Sequence, residues 1–102
     1  MNKKDENKII RFLTDNREEV FEFLKASFPM FHNSNFFFRD FHYGILRFLN
    51  HKNINLTYGQ AEKIAKEFAQ ILEQEGIFIR INQTGWKVNY PEFATQVPGD
   101  PL

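Results

Sequence analysis

The sequence predicts a mainly α-helical α+β fold, with three or four helices followed by a C-terminal two-stranded β-hairpin. Three observations predict it. Apolar residues recur at helical spacing through most of the first three-quarters of the chain. Thr57-Tyr58-Gly59-Gln60 is a T-x-x-Q helix start, and Gly76 stands where that helix would stop. Beyond Gly76 the apolar period changes from 3.6 to 2, the mark of strands.

The elements follow in order. From Lys8 to Phe28, the residues Ile9, Ile10, Leu13, Val20, Phe21, Leu24 and Phe28 fit one helical face. Thr14-Asp15-Asn16 interrupts that face, so the segment is one kinked helix or two short ones, and Asp15 with Glu18 resembles a capping box for a second start. Pro29 ends it. Met30 to Asn35 reads as a loop, in which Asn33, Ser34 and Asn35 all suit a helix N-cap. The next helix runs from about Phe36 to Asn50, with Phe37, Phe38, Phe41, Ile45, Phe48 and Leu49 along one side and Gly44 where another part of the chain can approach closely. His51-Lys52-Asn53 is a turn, and Ile54-Asn55-Leu56 alternates like a short strand.

The long helix opens at Thr57 and carries Ala61, Ile64, Ala65, Phe68, Ile71 and Leu72 at helical spacing. In the hairpin, Ile77, Ile79 and Ile81 share one face while Phe78 and Arg80 share the other. Asn82-Gln83-Thr84-Gly85 is the turn, with Gly85 where a positive φ is expected. Trp86, Val88 and Tyr90 alternate along the second strand until Pro91. Residues 1–91 thus form a single domain and residues 92–102 an irregular tail.

Composition narrows the function. The 102 residues carry 13 basic and 13 acidic side chains, so the formal net charge is zero and no long-range field draws the chain toward nucleic acid or an anionic surface. There is no cysteine, hence no disulfide framework and no thiolate metal site. His32, His42 and His51 lack metal-ligand spacing, so no metal or cofactor is expected; His42 reads as a surface or half-buried residue and His51 as a helix C-terminal cation. No nucleophile elbow, phosphate loop or dinucleotide fingerprint is present, which argues against an enzyme. No apolar run approaches the roughly 18 residues of a membrane span, and the charged start is unlike a signal peptide. The expectation is a cytoplasmic protein that does not enter the membrane. The most unusual feature is aromatic content: 13 Phe, three Tyr and Trp86, which fill a bulky core or present a contact surface.

Leu72-Glu73-Gln74-Glu75-Gly76-Ile77-Phe78-Ile79-Arg80 resembles the entry to the wing in winged helix-turn-helix regulators of the MarR-like kind. In that pattern a helix ends in Leu-Glu, a glycine caps it, and an apolar strand ending in Arg opens the hairpin. The resemblance covers about a third of the chain and implies a winged-helix-like domain. It further implies duplex DNA as partner, bound by the N-terminal part of the helix with Thr57 and Tyr58, with Gln60 near base edges, Lys63 and Lys66 on phosphates, and Arg80 and Lys87 on the backbone from the wing. Arg39, Arg47 and Lys52 would extend the basic patch. One uninterrupted helix after Thr57, reached through the long connection His51 to Leu56, is closer to DEP-like winged helices, which commonly bind proteins or membranes.

Two functional readings therefore stand. The first is a DNA-associated regulatory or accessory factor using the helix from Thr57 to Glu75 and the wing. The second is a protein-interaction or homodimerisation module without DNA binding. For the second, Phe36-Phe37-Phe38 cannot all face one core, because consecutive helical residues lie about 100° apart. Phe36, Phe37 and Trp86 are the candidate interface residues, with Phe36 the ring most expected at the surface.

Overall fold

A computed structural model describes residues 1–92. Its elements are α1 (Lys3–Asp15), α2 (Arg17–Ser27), β1 (Asn35–Phe37), α3 (Phe38–His51), α4 (Tyr58–Gln74), β2 (Phe78–Asn82) and β3 (Gly85–Val88). This is the α+β, mainly helical, winged-helix-like architecture expected, with four helices among the described residues. The sheet has three strands rather than two, in the order β1-β3-β2, all antiparallel. The expected tail lies outside the described residues except for Glu92.

The segment from Lys8 to Phe28 is two helices, and polar side chains account for the break. Thr14 Oγ1 donates to the Ile10 carbonyl at 2.8 Å, and Asn16 Nδ2 donates to the Phe12 carbonyl at 2.8 Å. Such local bonds compete with continuation of the helical ladder. Asp15 and Glu18 form no capping box: Asn16 is the N-cap of α2 and makes no side-chain cap bond.

The run after Pro29 departs from expectation. Asn35 to Phe37 is a strand on β3, with Phe36 opposite Trp86 and Phe37 opposite Gly85. Strand alternation turns Phe36 inward and Asn35 and Phe37 outward. The helix begins only at Phe38, whose N–H donates to the Thr84 carbonyl in the hairpin turn at 2.8 Å, so a neighbouring strand connection supplies the partner that no N-cap side chain provides. Asn33, one of the expected caps, instead occupies a left-handed turn at φ 69°. Ile54-Asn55-Leu56 is not a strand. Asn53 turns at φ 64°, the Ile54 N–H returns to the Leu49 carbonyl at 2.8 Å, and Ile54 and Leu56 pack half-buried against the core.

The α4 signals act as expected. Thr57 and Gln60 form a reciprocal capping box. Gly76 turns at φ 76°, and the Ile77 N–H closes on the Leu72 carbonyl at 2.9 Å. Gly85, by contrast, has no positive φ. Its need is space: a Cβ there would lie 3.1 Å from the Phe36 carbonyl oxygen and 2.7 Å from the Phe37 ring. Gly44 likewise lets α2 approach, since a Cβ would meet Leu24 Cδ2 at 2.3 Å.

The core is aromatic and centres on Phe41. Its ring centroid lies 5.3 Å from Phe78, 5.5 Å from Trp86, 6.0 Å from Phe68 and 6.2 Å from Phe36. Phe36 and Trp86 are both buried, so neither is a surface interface residue. One ring of the Phe36-Phe37-Phe38 run is exposed as expected, but it is Phe37 rather than Phe36, because strand alternation turns Phe36 into the core.

Candidate functional site

Three surfaces hold the candidate residues: the solvent side of α4, the cleft between α4 and the hairpin, and the outer face of the sheet.

On α4, the polar groups proposed to read DNA are engaged within the fold. Thr57 Oγ1 accepts from the Gln60 N–H at 3.1 Å, and Gln60 Oε1 accepts from the Thr57 N–H at 2.9 Å. Tyr58 is exposed, but its ring centroid lies 4.0 Å from that of His42. The Tyr58 carbonyl faces His42 Nε2 at 2.9 Å; a carbonyl only accepts, so Nε2 carries the proton. His42 is therefore a buried tie between α3 and α4 rather than a surface or half-buried residue.

Lys63 reaches Glu6 Oε1 on α1 at 2.9 Å. The hydrogen bond to Glu6 and that carboxylate's charge raise the Lys63 pKa above the ordinary lysine value. Glu6 itself is buried, and its Oε2 finds no hydrogen-bond partner. Lys3 approaches Glu67 at 3.7 Å, so two ion pairs join α1 to α4. Of the α4 cations, Lys66 has no carboxylate partner among the described residues and lies 6.0 Å from the centre of the Phe38 ring.

The cleft beside the hairpin has a volume of about 290 Å³ and is lined by Phe38, Lys66, Gln70, Arg80, Thr84 and Trp86 among others. On its hairpin side the polar donors are met within the fold. Glu73 Oε2 accepts from Arg80 Nη2 at 2.9 Å and from Trp86 Nε1 at 3.1 Å. Arg80 Nη1 also donates to the Asn82 and Gln83 carbonyls at 3.0 and 3.2 Å, and the guanidinium lies 5.4 Å from the Trp86 ring centre. The Arg80 bonds, and then the Trp86 bond, hold Glu73 below the usual carboxylate range despite some burial. Arg80 thus fastens the hairpin to α4.

The outer face of the sheet is different in kind. Strand alternation puts Phe78 inward, and Ile79 outward between β2 and the Lys87 position of β3. Lys87 is therefore on the face opposite the α4 cations, not beside them. Phe37, Ile79 and Ile81 are 44%, 42% and 46% exposed, three of the exposed large hydrophobic residues of the described surface. They share one face of the sheet with Lys87, Phe37 on one edge strand and the isoleucines on the other among the described residues. The Phe37 ring covers Gly85, and Gly85 opposes Asn82 at the irregularity in β2 that contains Ile81.

The seven predicted DNA residues are thus divided among a capping box, two ion pairs, a tilted ring contact, one cation with no carboxylate partner among the described residues, and the far sheet face. Of the predicted interface residues, Phe37 alone is at the surface. Glu6, Glu73, His42, Ile79 and Ile81 were not among the predicted site residues. Glu6 had a signal, because it shares the helical face of Ile9, Ile10 and Leu13.

Fold and surface together define a small, mainly helical α+β domain with its hairpin locked to the long helix and with Phe37, Ile79 and Ile81 exposed on the outer sheet face. The chain matches no protein-family model, no curated protein and no solved structure.

Proposed function

We propose that this domain is a protein-interaction module whose contact surface is the outer face of the sheet. The observation that carries this reading is the exposure of Phe37, Ile79 and Ile81, large apolar side chains left in water on one face of the sheet. An exposed apolar group of this kind loses its unfavourable hydration when a partner covers it. The competing reading, duplex DNA bound through α4 and the wing, draws less support. Lys63 is paired with Glu6 and Arg80 with Glu73, and a cation already paired gains less from a phosphate because it must first leave its carboxylate.

The test is retention of native-lysate proteins on the immobilised chain, with and without nuclease, beside a Phe37→Asp/Ile79→Asp double variant. Proteins held by the unaltered chain, lost from the variant and indifferent to nuclease are the expected result. Identical retention by the variant, or retention that nuclease removes, contradicts it.

A further inference from the structure

We infer that the cleft between α4 and the hairpin binds a small monocarboxylate with an aromatic or branched apolar body, its charge met by Lys66. The inference goes beyond the sheet-face reading and shares no residue with it. Lys66, Ala69 and Gln70 stand three and four positions apart on α4, so they share one helical face and form one wall of the cleft. The hairpin and Phe38, the first residue of α3, supply the others.

The charge of the ligand follows from what the fold leaves uncompensated. Arg80 directs its guanidinium to both Glu73 oxygens and to the Asn82 and Gln83 carbonyls. Glu73 also takes the Trp86 N–H, and the Thr84 hydroxyl donates to Asn82 Oδ1 at 3.0 Å. Lys66 is exposed and has no carboxylate partner among the described residues. No acidic side chain lines this cleft among the described residues; Glu62, one turn before Lys66, lines the neighbouring hollow beside Tyr58 instead. The unmet charge is therefore a single positive one, on an ammonium 6.0 Å from the centre of the Phe38 ring. One free cation selects a monoanion. A phosphate monoester brings close to two negative charges at neutral pH, and the second would find no free cation in the cleft. Gln70, exposed beside Lys66, adds a carboxamide that can donate to the second carboxylate oxygen.

The body of the ligand follows from the remaining walls. Phe38, Ala69 and Trp86 present carbon surface, which favours an apolar group that leaves water to cover it. The volume of about 290 Å³ lies at the lower end of the roughly 300–1,000 Å³ of small-molecule sites. It admits one ring or a branched chain rather than a nucleotide. With its carboxylate on α4 and its body against Trp86, the ligand ties the long helix to the hairpin, so the bound chain should melt at a higher temperature.

Trp86 is the only tryptophan of the chain, so its fluorescence reads the cleft directly. The probes are phenylacetate and isovalerate. Phenylacetamide is the uncharged control, acetate the carboxylate without a body, and phenyl phosphate the dianion. At least one of the two probes is expected to change Trp86 emission saturably, to shift the amide resonances of Lys66, Gln70 and Thr84, and to raise the melting temperature. Phenylacetamide is expected to bind about tenfold more weakly than phenylacetate, the factor that one charge-assisted hydrogen bond supplies. Acetate is also expected to bind more weakly than the better probe. Lys66→Met loses the response with its thermal unfolding unchanged, and Lys66→Arg keeps it. No saturable change with either probe up to its solubility limit overturns the inference. So does phenylacetamide or acetate binding as tightly as the better probe, phenyl phosphate binding more tightly than phenylacetate, or an unaltered response in Lys66→Met. Phe37 and Ile79 lie outside the cleft, so retention of lysate proteins through the sheet face is read separately from each of these outcomes.

Discussion

The indole N–H of Trp86 and the carboxylate of Glu73 meet at 3.1 Å, and through that oxygen the hairpin, the long helix and Arg80 share one polar junction. The junction seals the rim of an aromatic core and holds the wing against α4. Removing its acceptor leaves a buried indole N–H and a guanidinium without their partner. Glu73→Ala is expected to cost about 1–3 kcal/mol in urea unfolding, the usual penalty for orphaning such groups.

Acid should weaken the same junction. The Glu73 carboxyl is held below its ordinary range by Arg80. A lowered folded pKa contributes stability that is present above the unfolded value and is lost as pH falls through the folded one. Unfolding free energy of the unaltered chain should therefore drop faster than that of Glu73→Gln below the ordinary carboxylate range, and the two should converge. Parallel curves would remove Glu73 from the acid response.

Adjacent phenylalanines should behave oppositely. Phe36 is buried among Phe28, Phe41 and Phe78, whereas Phe37 is nearly half exposed. Phe36→Ala is expected to cost about 3–5 kcal/mol in denaturant unfolding. Phe37→Ala removes only the cover over Gly85 and is expected to cost about 1 kcal/mol.

Two glycines give a second contrast. Gly85→Ala forces a methyl group against the Phe36 carbonyl and the Phe37 ring, an overpacking expected to cost roughly 1–3 kcal/mol. Gly59 in the first turn of α4 has open space around it, and Gly59→Ala should stabilise by about 0.5–1 kcal/mol through lower unfolded-state entropy. Thermal melts of the two variants should shift in opposite directions.

The pair across α1 and α4 is asymmetric. Glu6 is buried with one oxygen unpartnered, whereas Lys63 reaches into water. Lys63→Met abandons the buried carboxylate and should lower Tm, while Glu6→Met replaces it with an apolar chain of similar length and should leave Tm unchanged or raise it. The raised Lys63 pKa means the pair stabilises below the ordinary lysine value and is lost as pH rises through the higher folded one. The Tm difference between unaltered chain and Lys63→Met should therefore shrink in strong alkali.

Local chemistry made much of the fold legible. The Thr57–Gln60 box, the Gly76 stop and the change of period each act within a few residues, and they place α4 and the hairpin. What stayed hidden was decided by pairing between distant segments. Asn35-Phe36-Phe37 carries no alternation long enough to announce a strand, and only β3 makes it one. The site was less legible for a related reason. Lys63 and Arg80 look available on a helical wheel and a strand, but Glu6 lies 57 residues from Lys63 in sequence, and the Glu73–Arg80 link crosses the turn at Gly76. Strand alternation separated Ile79 from Phe78, but Ile77 packs against the core ahead of β2 and Ile81 falls at the irregularity in the strand, and nothing local marked which of two apolar faces met the core.

The most direct measurement is photo-cross-linking in the native cell with a photoreactive amino acid at position 79, beside the same probe at position 66. An outer sheet face that meets protein gives protein adducts at position 79 and few at position 66. Nucleic-acid adducts at position 66, with none to protein at position 79, would contradict it and return α4 to the role of contact surface.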